Sequence, residues 1–155
     1  MRLVIVRHGL AVDRAEWEGP DSLRPLTDEG RARAKRVLRA VAPLMTGIVE
    51  VWTSPWARAL ATAEIAADAW KLPLHKHAWL GGNGPAAGDR VADLPKQDTA
   101  LVGHEPDLGE LIGVLTGGPA IPLKKAGIAV LDGHPVPGGM VLSLLLTPRA
   151  VLELR

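Results

Sequence analysis

Residues 1–12 read "MRLVIVRHGLAV", and the reading of this stretch decides the fold. Leu3, Val4, Ile5 and Val6 form a short, mostly β-branched apolar run, the composition of a strand built for the core. The run leads directly into Arg7, His8 and Gly9. Two side chains able to carry positive charge at the end of a core strand admit two readings. Either the strand simply surfaces there, or its end faces a ligand. Taken alone, "RHG" does not choose between them, so the rest of the chain must.

Composition narrows the field first. At 155 residues and 47% apolar composition, the chain is predicted to form one domain, residues 1–155, with a sizeable core. Its longest apolar run, "MVLSLLL", falls well short of the ~18 residues of a membrane span and reads as a buried strand. The N-terminal apolar run is too short for a secretory signal, so no membrane partner and a cytoplasmic location are expected. Without cysteine there is no disulfide, no thiolate nucleophile and no cysteine-bound zinc. The net charge of +1 gives no general attraction to nucleic acid. The local exception is "GRARAKRVLR", with Arg31, Arg33, Lys35, Arg36 and Arg39, which reads as the solvated face of a helix. Phe and Tyr are absent and the five Trp are scattered, so the stacking side chains of a nucleic-acid module are missing and no such partner is expected.

Strand signals fall at 3–6, 49–53, 74–77, 99–102, 127–131 and 140–146. Helical spacing alternates with them. Ala34, Val37, Leu38 and Val41 repeat at i, i+3, i+4 and i+7, with Thr27 as N-cap and Pro43 as stop. Leu60, Ala63, Ala67 and Trp70 follow, with Ser54 as predicted N-cap and Pro55 at the first helical position. Leu108, Leu111, Ile112 and Leu115 make a third pattern, closed by Gly117 and Gly118. This alternation predicts an α/β three-layer sandwich around a mostly parallel sheet. The last two strands, joined by "DGHPVPGG", are expected to pair antiparallel, and the glycine-rich stretch 79–90 to be a mobile loop.

In an open α/β sheet, ligands sit beyond the carboxyl ends of the strands. Three such ends carry unusual residues here: Arg7 and His8 after the first strand, Arg58 after the second, and His104 after the fourth. Arg58 is the informative one. A cation in the first turn of a helix is disfavoured by the helix dipole, unless an anion sits there to face both the guanidinium and the free N–H groups. Arg7 supplies a second planar fork suited to phosphate oxygens. Two arginines and two histidines at strand ends describe a cationic pocket for a phosphoryl group.

Taken in order, "RHG" (7–9), "SPWARALATA" (54–63) and "GHEP" (103–106) resemble the histidine phosphatase superfamily, also called phosphoglycerate mutase-like. "RPLTDEG" (24–30), "GHEPDL" (103–108) and the short chain resemble its small phosphohistidine phosphatase branch, the SixA-like proteins. The resemblance implies a metal-independent hydrolase without a cofactor, in which His8 is the nucleophile and forms a covalent phosphohistidine. It implies that Arg7, Arg58 and His104 hold the phosphoryl oxygens, and it brings Arg24 near the phosphate; a surface ion pair is the other reading of Arg24. His75, His77 and His134 read as surface histidines, with no third ligand in view for a metal.

Many members of that superfamily use a carboxylate as general acid, commonly from the segment after the third strand. Here no carboxylate precedes Asp89 in that segment, so Glu105 is the candidate. It also fits a helix-start residue that offsets the dipole, and sequence does not separate the two roles. The shortage of acids favours one substrate class. An alkoxide leaving group needs a proton from a positioned acid, whereas a ring-protonated phosphohistidine releases neutral imidazole, with a conjugate-acid pKa of ~6.5. Phosphohistidine on a protein is thus the expected substrate, with a small phosphomonoester as the alternative. A phosphate-binding module without turnover is the rival from outside enzymology. The oligomeric state is left open.

Overall fold

The computed structural model describes residues 1–154, and its six strands form a single sheet. These are β1 (Arg2–Arg7), β2 (Glu50–Thr53), β3 (Leu74–Lys76), β4 (Thr99–Gly103), β5 (Ile128–Gly133) and β6 (Met140–Leu146), in the order β3-β2-β4-β1-β5-β6. β1 to β4 run parallel to their neighbours in that group, β5 pairs antiparallel with β1, and β6 pairs antiparallel with β5. The mostly parallel α/β sandwich read from the sequence is the architecture observed.

β1 lies inside the sheet and is covered on both faces, which explains its unbroken apolar run. Val4 and Val6 face a layer made by α1 (Asp28–Ala40), α2 (Ala57–Trp70) and the short α5 (Pro148–Glu153). Leu3 and Ile5 face the other layer, made by α3 (Ala87–Arg90) and α4 (Asp107–Thr116). Among the described residues no helix is long and apolar enough to cross a membrane.

The caps explain where the helices begin. Thr27 caps α1, its hydroxyl accepting from the Gly30 N–H at 2.9 Å, as the sequence indicates. The cap of α2 differs from expectation. The helix starts at Ala57 with Trp56 in the N-cap position, and Pro55 lies in the preceding turn. Ser54 shapes that turn by accepting the Trp56 N–H at 3.1 Å, while its hydroxyl also reaches His104. A serine engaged at the sheet end cannot cap a helix beginning three residues later.

Two short helices fell below the length at which spacing is informative. α5 is signalled only by Thr147, which accepts from the Ala150 N–H, and by Pro148 at its first position. α3 lies within the stretch read as a mobile loop. Its two ends are anchored: a Cβ on Gly82 would meet the Trp56 ring at 2.5 Å, and Arg90 is buried with its guanidinium 2.9 Å from Asp107, while Asn83, Pro85, Ala86, Gly88 and Asp89 between them are exposed.

At Gly30, α1 packs directly on the backbone of Leu10. A Cβ there would lie 2.1 Å from the Leu10 carbonyl oxygen, which also accepts the Thr27 N–H. Gly30→Ala is therefore expected to push α1 off the 8–10 segment and destabilise the fold by about 1–3 kcal/mol, in the range of overpacked interiors. Denaturant unfolding measures this, and unchanged stability would contradict the contact.

Candidate active site

Sheet register, rather than proximity in sequence, assembles the site. Arg7 is level with Gly103, and Thr53 with Val102, so β1, β2 and β4 end side by side. The next residues are His8, Ser54 and His104, all buried. The His8 N–H donates to the Gly103 carbonyl at 3.1 Å, and the Ser54 N–H to that of Val102 at 3.0 Å. The His8 and His104 rings lie 5.3 Å apart between centroids, inclined at 55°.

His8 has a defined tautomer. Its Nδ1 lies 2.7 Å from the Gly9 carbonyl oxygen, which can only accept, so Nδ1 carries the proton and Nε2 keeps its lone pair. Burial holds the imidazole neutral, against the Gly9 hydrogen bond and helped by the charges of Arg58, Arg7 and Arg24, with a pKa lowered to about 4. His104 is treated alike: burial first, then His8 and Arg58, lower it to about 3. The Ser54 hydroxyl sits 2.8 Å from His104 Nε2. With the hydroxyl donating, His104 Nδ1–H is left as a donor.

The sign of the pH dependence follows. Both histidines are neutral when folded and titrate near 6.5 when unfolded, so the unfolded chain binds more protons below pH 6.5. Stability is fully present above 6.5 and falls with acidification, by up to roughly 1.4 kcal/mol per pH unit for each histidine, until the folded values near 4 and 3 are passed. Unfolding free energies compared between pH 7 and 5 test this. His104→Asn, whose amide cannot titrate there, should lose its share of the slope.

The two arginines are held from behind. Arg58 is buried in the first turn of α2, donating through Nη1 to the Asp21 carbonyl at 2.8 Å and through Nη2 to the Asp21 carboxylate at 3.2 Å. Its guanidinium carbon lies 5.2 Å from the centre of the Trp56 ring, which also meets the His104 ring edge-on at 5.1 Å. Arg7 donates through Nη1 to the Leu123 carbonyl at 2.9 Å. Three buried nitrogens, Arg7 Nε, Arg58 Nε and His104 Nδ1, have no partner among the described residues. An unpaired buried donor costs roughly 1–3 kcal/mol. All three belong to residues at or just after the ends of β1, β2 and β4, and donors left unpaired there suit an acceptor-rich anion.

Asp21 organises the cationic side and was not singled out by sequence. It binds Arg58, Arg24 at 2.8 Å and Arg14 at 3.1 Å. Burial pushes its carboxyl up, but the Arg24 hydrogen bond and the charges of Arg58, Arg24 and Arg14 outweigh this and hold it at about 2. Arg24 is thus ion-paired and mostly buried, also donating to the Val12 carbonyl at 2.8 Å, while its charge still acts on His8. Thr62, one turn after Arg58, accepts the Gly9 N–H at 3.0 Å and donates to the Arg58 carbonyl at 2.8 Å, tying α2 to the 8–10 segment. The only sequence signal for Asp21 is an acid three residues before Arg24, and Thr62 has none.

Glu105 is half-buried, and its carboxylate accepts the Gly109 N–H within the first turn of α4 at 2.8 Å. Burial raises its pKa, against the Leu123 and Gly109 N–H groups and the Arg7 charge. Among the described residues no three His, Asp or Glu side chains gather as a metal site. His75 lies 3.4 Å from Glu50, His77 stacks on Trp52 at 3.8 Å between ring centres, and His134 is exposed in the β5–β6 turn.

Comparison with known proteins places the family. Residues 3–83 match the Histidine phosphatase superfamily (branch 1), a span that includes Arg7, His8, Arg24 and Arg58. An uncharacterized protein of Picosynechococcus sp. is 38% identical over 83% of this chain and 82% of its own length. The tungstate complex of the protein histidine phosphatase SixA superposes over the whole of both chains with a TM-score of 0.85 at 24% identity. A mycobacterial glucosyl-3-phosphoglycerate phosphatase superposes with a TM-score of 0.71 at 16% identity, over 94% of this chain and 99% of its own. The chain belongs to the histidine phosphatase superfamily, and by class it is a phosphatase.

Proposed function

We propose that the protein removes phosphate from phosphohistidine on another protein, through a covalent intermediate on His8. His8 Nε2, kept unprotonated by the Nδ1–H bond to Gly9, attacks phosphorus. The phosphorus–nitrogen bond to the ring-protonated substrate imidazole breaks, and the imidazole leaves neutral with the proton it already carried on its other ring nitrogen. Arg7, Arg58 and His104 donate to the equatorial oxygens, where transition-state charge develops. Water then attacks the phosphorus on His8, yielding inorganic phosphate and free His8.

The observation that carries the choice of substrate is the engagement of the carboxylates beside these residues. Asp21 is held ionised by three arginines at about 2 and has no proton to give at neutral pH. Glu105 is committed to the first turn of α4. A leaving group that needs no acid suits such a site. The SixA superposition supports the same reading, since that protein is a protein histidine phosphatase.

The raised pKa of Glu105 favours a second reading, a small-molecule phosphomonoesterase with Glu105 as acid. Glu105→Gln separates them, because the amide oxygen still accepts from Gly109 but cannot donate an acid proton. On the proposed reading, turnover of a phosphohistidine protein stays within a few-fold and exceeds that of alkyl phosphates in both forms. A loss of about 10²–10⁴-fold confined to alkyl phosphates, with those the better wild-type substrates, would establish the phosphomonoesterase instead.

A further inference from the structure

A cavity of about 370 Å³ lies next to the candidate site, lined by Leu10 and Ala126 among others, and shares none of the residues assigned to the phosphoryl group. Its floor is apolar, with Leu10, Ala126 and Pro148 among the lining side chains. Its rim is basic: Arg33 from α1 and the exposed Lys124 and Lys125 line it, and none of the three makes an ion pair among the described residues. A fourth cation, Arg149, is paired with Glu153 at 2.9 Å, and Glu29 is the acidic side chain of the lining. The basic run on α1, which the phosphate pocket leaves unused, thus contributes Arg33 to this rim.

One segment joins this cavity to the candidate active site. The Leu123 carbonyl holds Arg7 on the catalytic side, and the next three residues, Lys124, Lys125 and Ala126, line the cavity. Ala126 takes a left-handed backbone, with φ +61, and its N–H is shared between the Arg7 and His8 carbonyls at 3.1 and 3.0 Å. A non-glycine residue in that region is uncommon. Here the buried Ala126 fixes the lysine pair against the back of the nucleophile segment.

We infer that this cavity docks an acidic segment, carrying one apolar side chain, of the phosphorylated protein whose phosphohistidine enters the catalytic pocket. Charge complementarity names the chemistry: three free cations around an apolar floor select carboxylates flanking a hydrophobic anchor. Separation from His8 by the 123–126 segment names the size. Lys124 and Lys125 are not among the groups that would hold the phosphoryl oxygens, so a small phosphoester has no need of them, whereas a folded protein presenting a phosphohistidine has further surface to set against them. This inference rests on the protein-phosphatase reading.

The test pairs binding with turnover. The probe is a labelled, Glu-rich peptide with one central Leu, titrated against wild type and the Lys124→Ala/Lys125→Ala variant, both with exposed side chains truncated so that the fold is retained. Wild type should bind at low salt, at least about tenfold more tightly than the variant, and the difference should shrink at 1 M salt, where charges are screened beyond ~3 Å. Replacing the peptide's Leu by Gln should weaken binding to both. In turnover, the variant should raise KM for a phosphohistidine protein about tenfold and leave free phosphohistidine within about twofold. Equal binding to wild type and variant, or a short RNA binding as well as the peptide, would overturn the inference, as would equal KM on the phosphoprotein. Wild type that binds the peptide but does not hydrolyse phosphohistidine would instead refute the catalytic reading and leave the acidic-segment site standing.

Discussion

His8→Ala is expected to lower turnover of every phosphorylated substrate by about 10⁴-fold or more, the scale on which loss of a nucleophile is felt. His8 Nε2 is the lone pair that the Gly9 hydrogen bond leaves free, and burial keeps it unprotonated down to about pH 4. The acid limb of kcat/KM assignable to the enzyme should therefore lie near 4 rather than 6.5, once the substrate's own ionisation near ~6 is accounted for. Binding should survive the substitution, because Arg7, Arg58 and His104 remain, so vanadate or tungstate should still protect the variant against unfolding. Loss of both turnover and oxyanion binding would mean that the substitution had disrupted the pocket rather than removed a nucleophile.

Arg58→Ala carries the second-largest expected effect, a fall of about 10²–10³-fold in kcat, comparable to removal of one preorganised oxyanion donor. It should act in two further ways that a merely structural residue would not. Arg58 is among the charges that lower His8, so its removal should move the acid limb upward. Arg58→Lys should restore that limb by returning the charge, yet recover little of kcat, because an ammonium lacks the rigid fork that reaches both Asp21 and an oxyanion. An acid limb that stays in place in both variants would contradict the electrostatic account. Truncation also leaves Asp21 with two of its three arginines, so some loss of stability belongs to the same substitution.

The sequence made the strand ends legible because β1, β2 and β4 announce themselves by composition and each delivers a residue type that is costly to place without a purpose. His8 and His104 are brought together by register, which in β1 and β4 is fixed by burying the apolar faces of both strands. What stayed hidden depends on contacts made across the fold. Asp21 lies in a segment without periodicity, and its importance appears only when α2 brings Arg58 onto it. Ser54 seemed a helix cap, but its hydroxyl is engaged by His104, 50 residues away, so the helix starts later. The 79–90 stretch looked mobile because glycines weaken every local signal. Gly81 and Gly82 let the chain pass close to the Trp56 ring, Gly84 lets it turn back on the Trp79 carbonyl, and Arg90 ties the segment to Asp107. Glu105 shows both of its sequence readings in the structure, accepting the Gly109 N–H at the start of α4 while burial raises its pKa.

The central claim is that phosphate passes through His8. A single-turnover reaction with a radiolabelled phosphohistidine protein, quenched in alkali and digested to peptides, tests it directly. The account predicts a label that is stable to alkali, lost in acid, and carried by the peptide containing His8 in wild type and absent from His8→Ala. Hydrolysis in wild type with the label on another residue, or His8→Ala turning over at the wild-type rate, would contradict it.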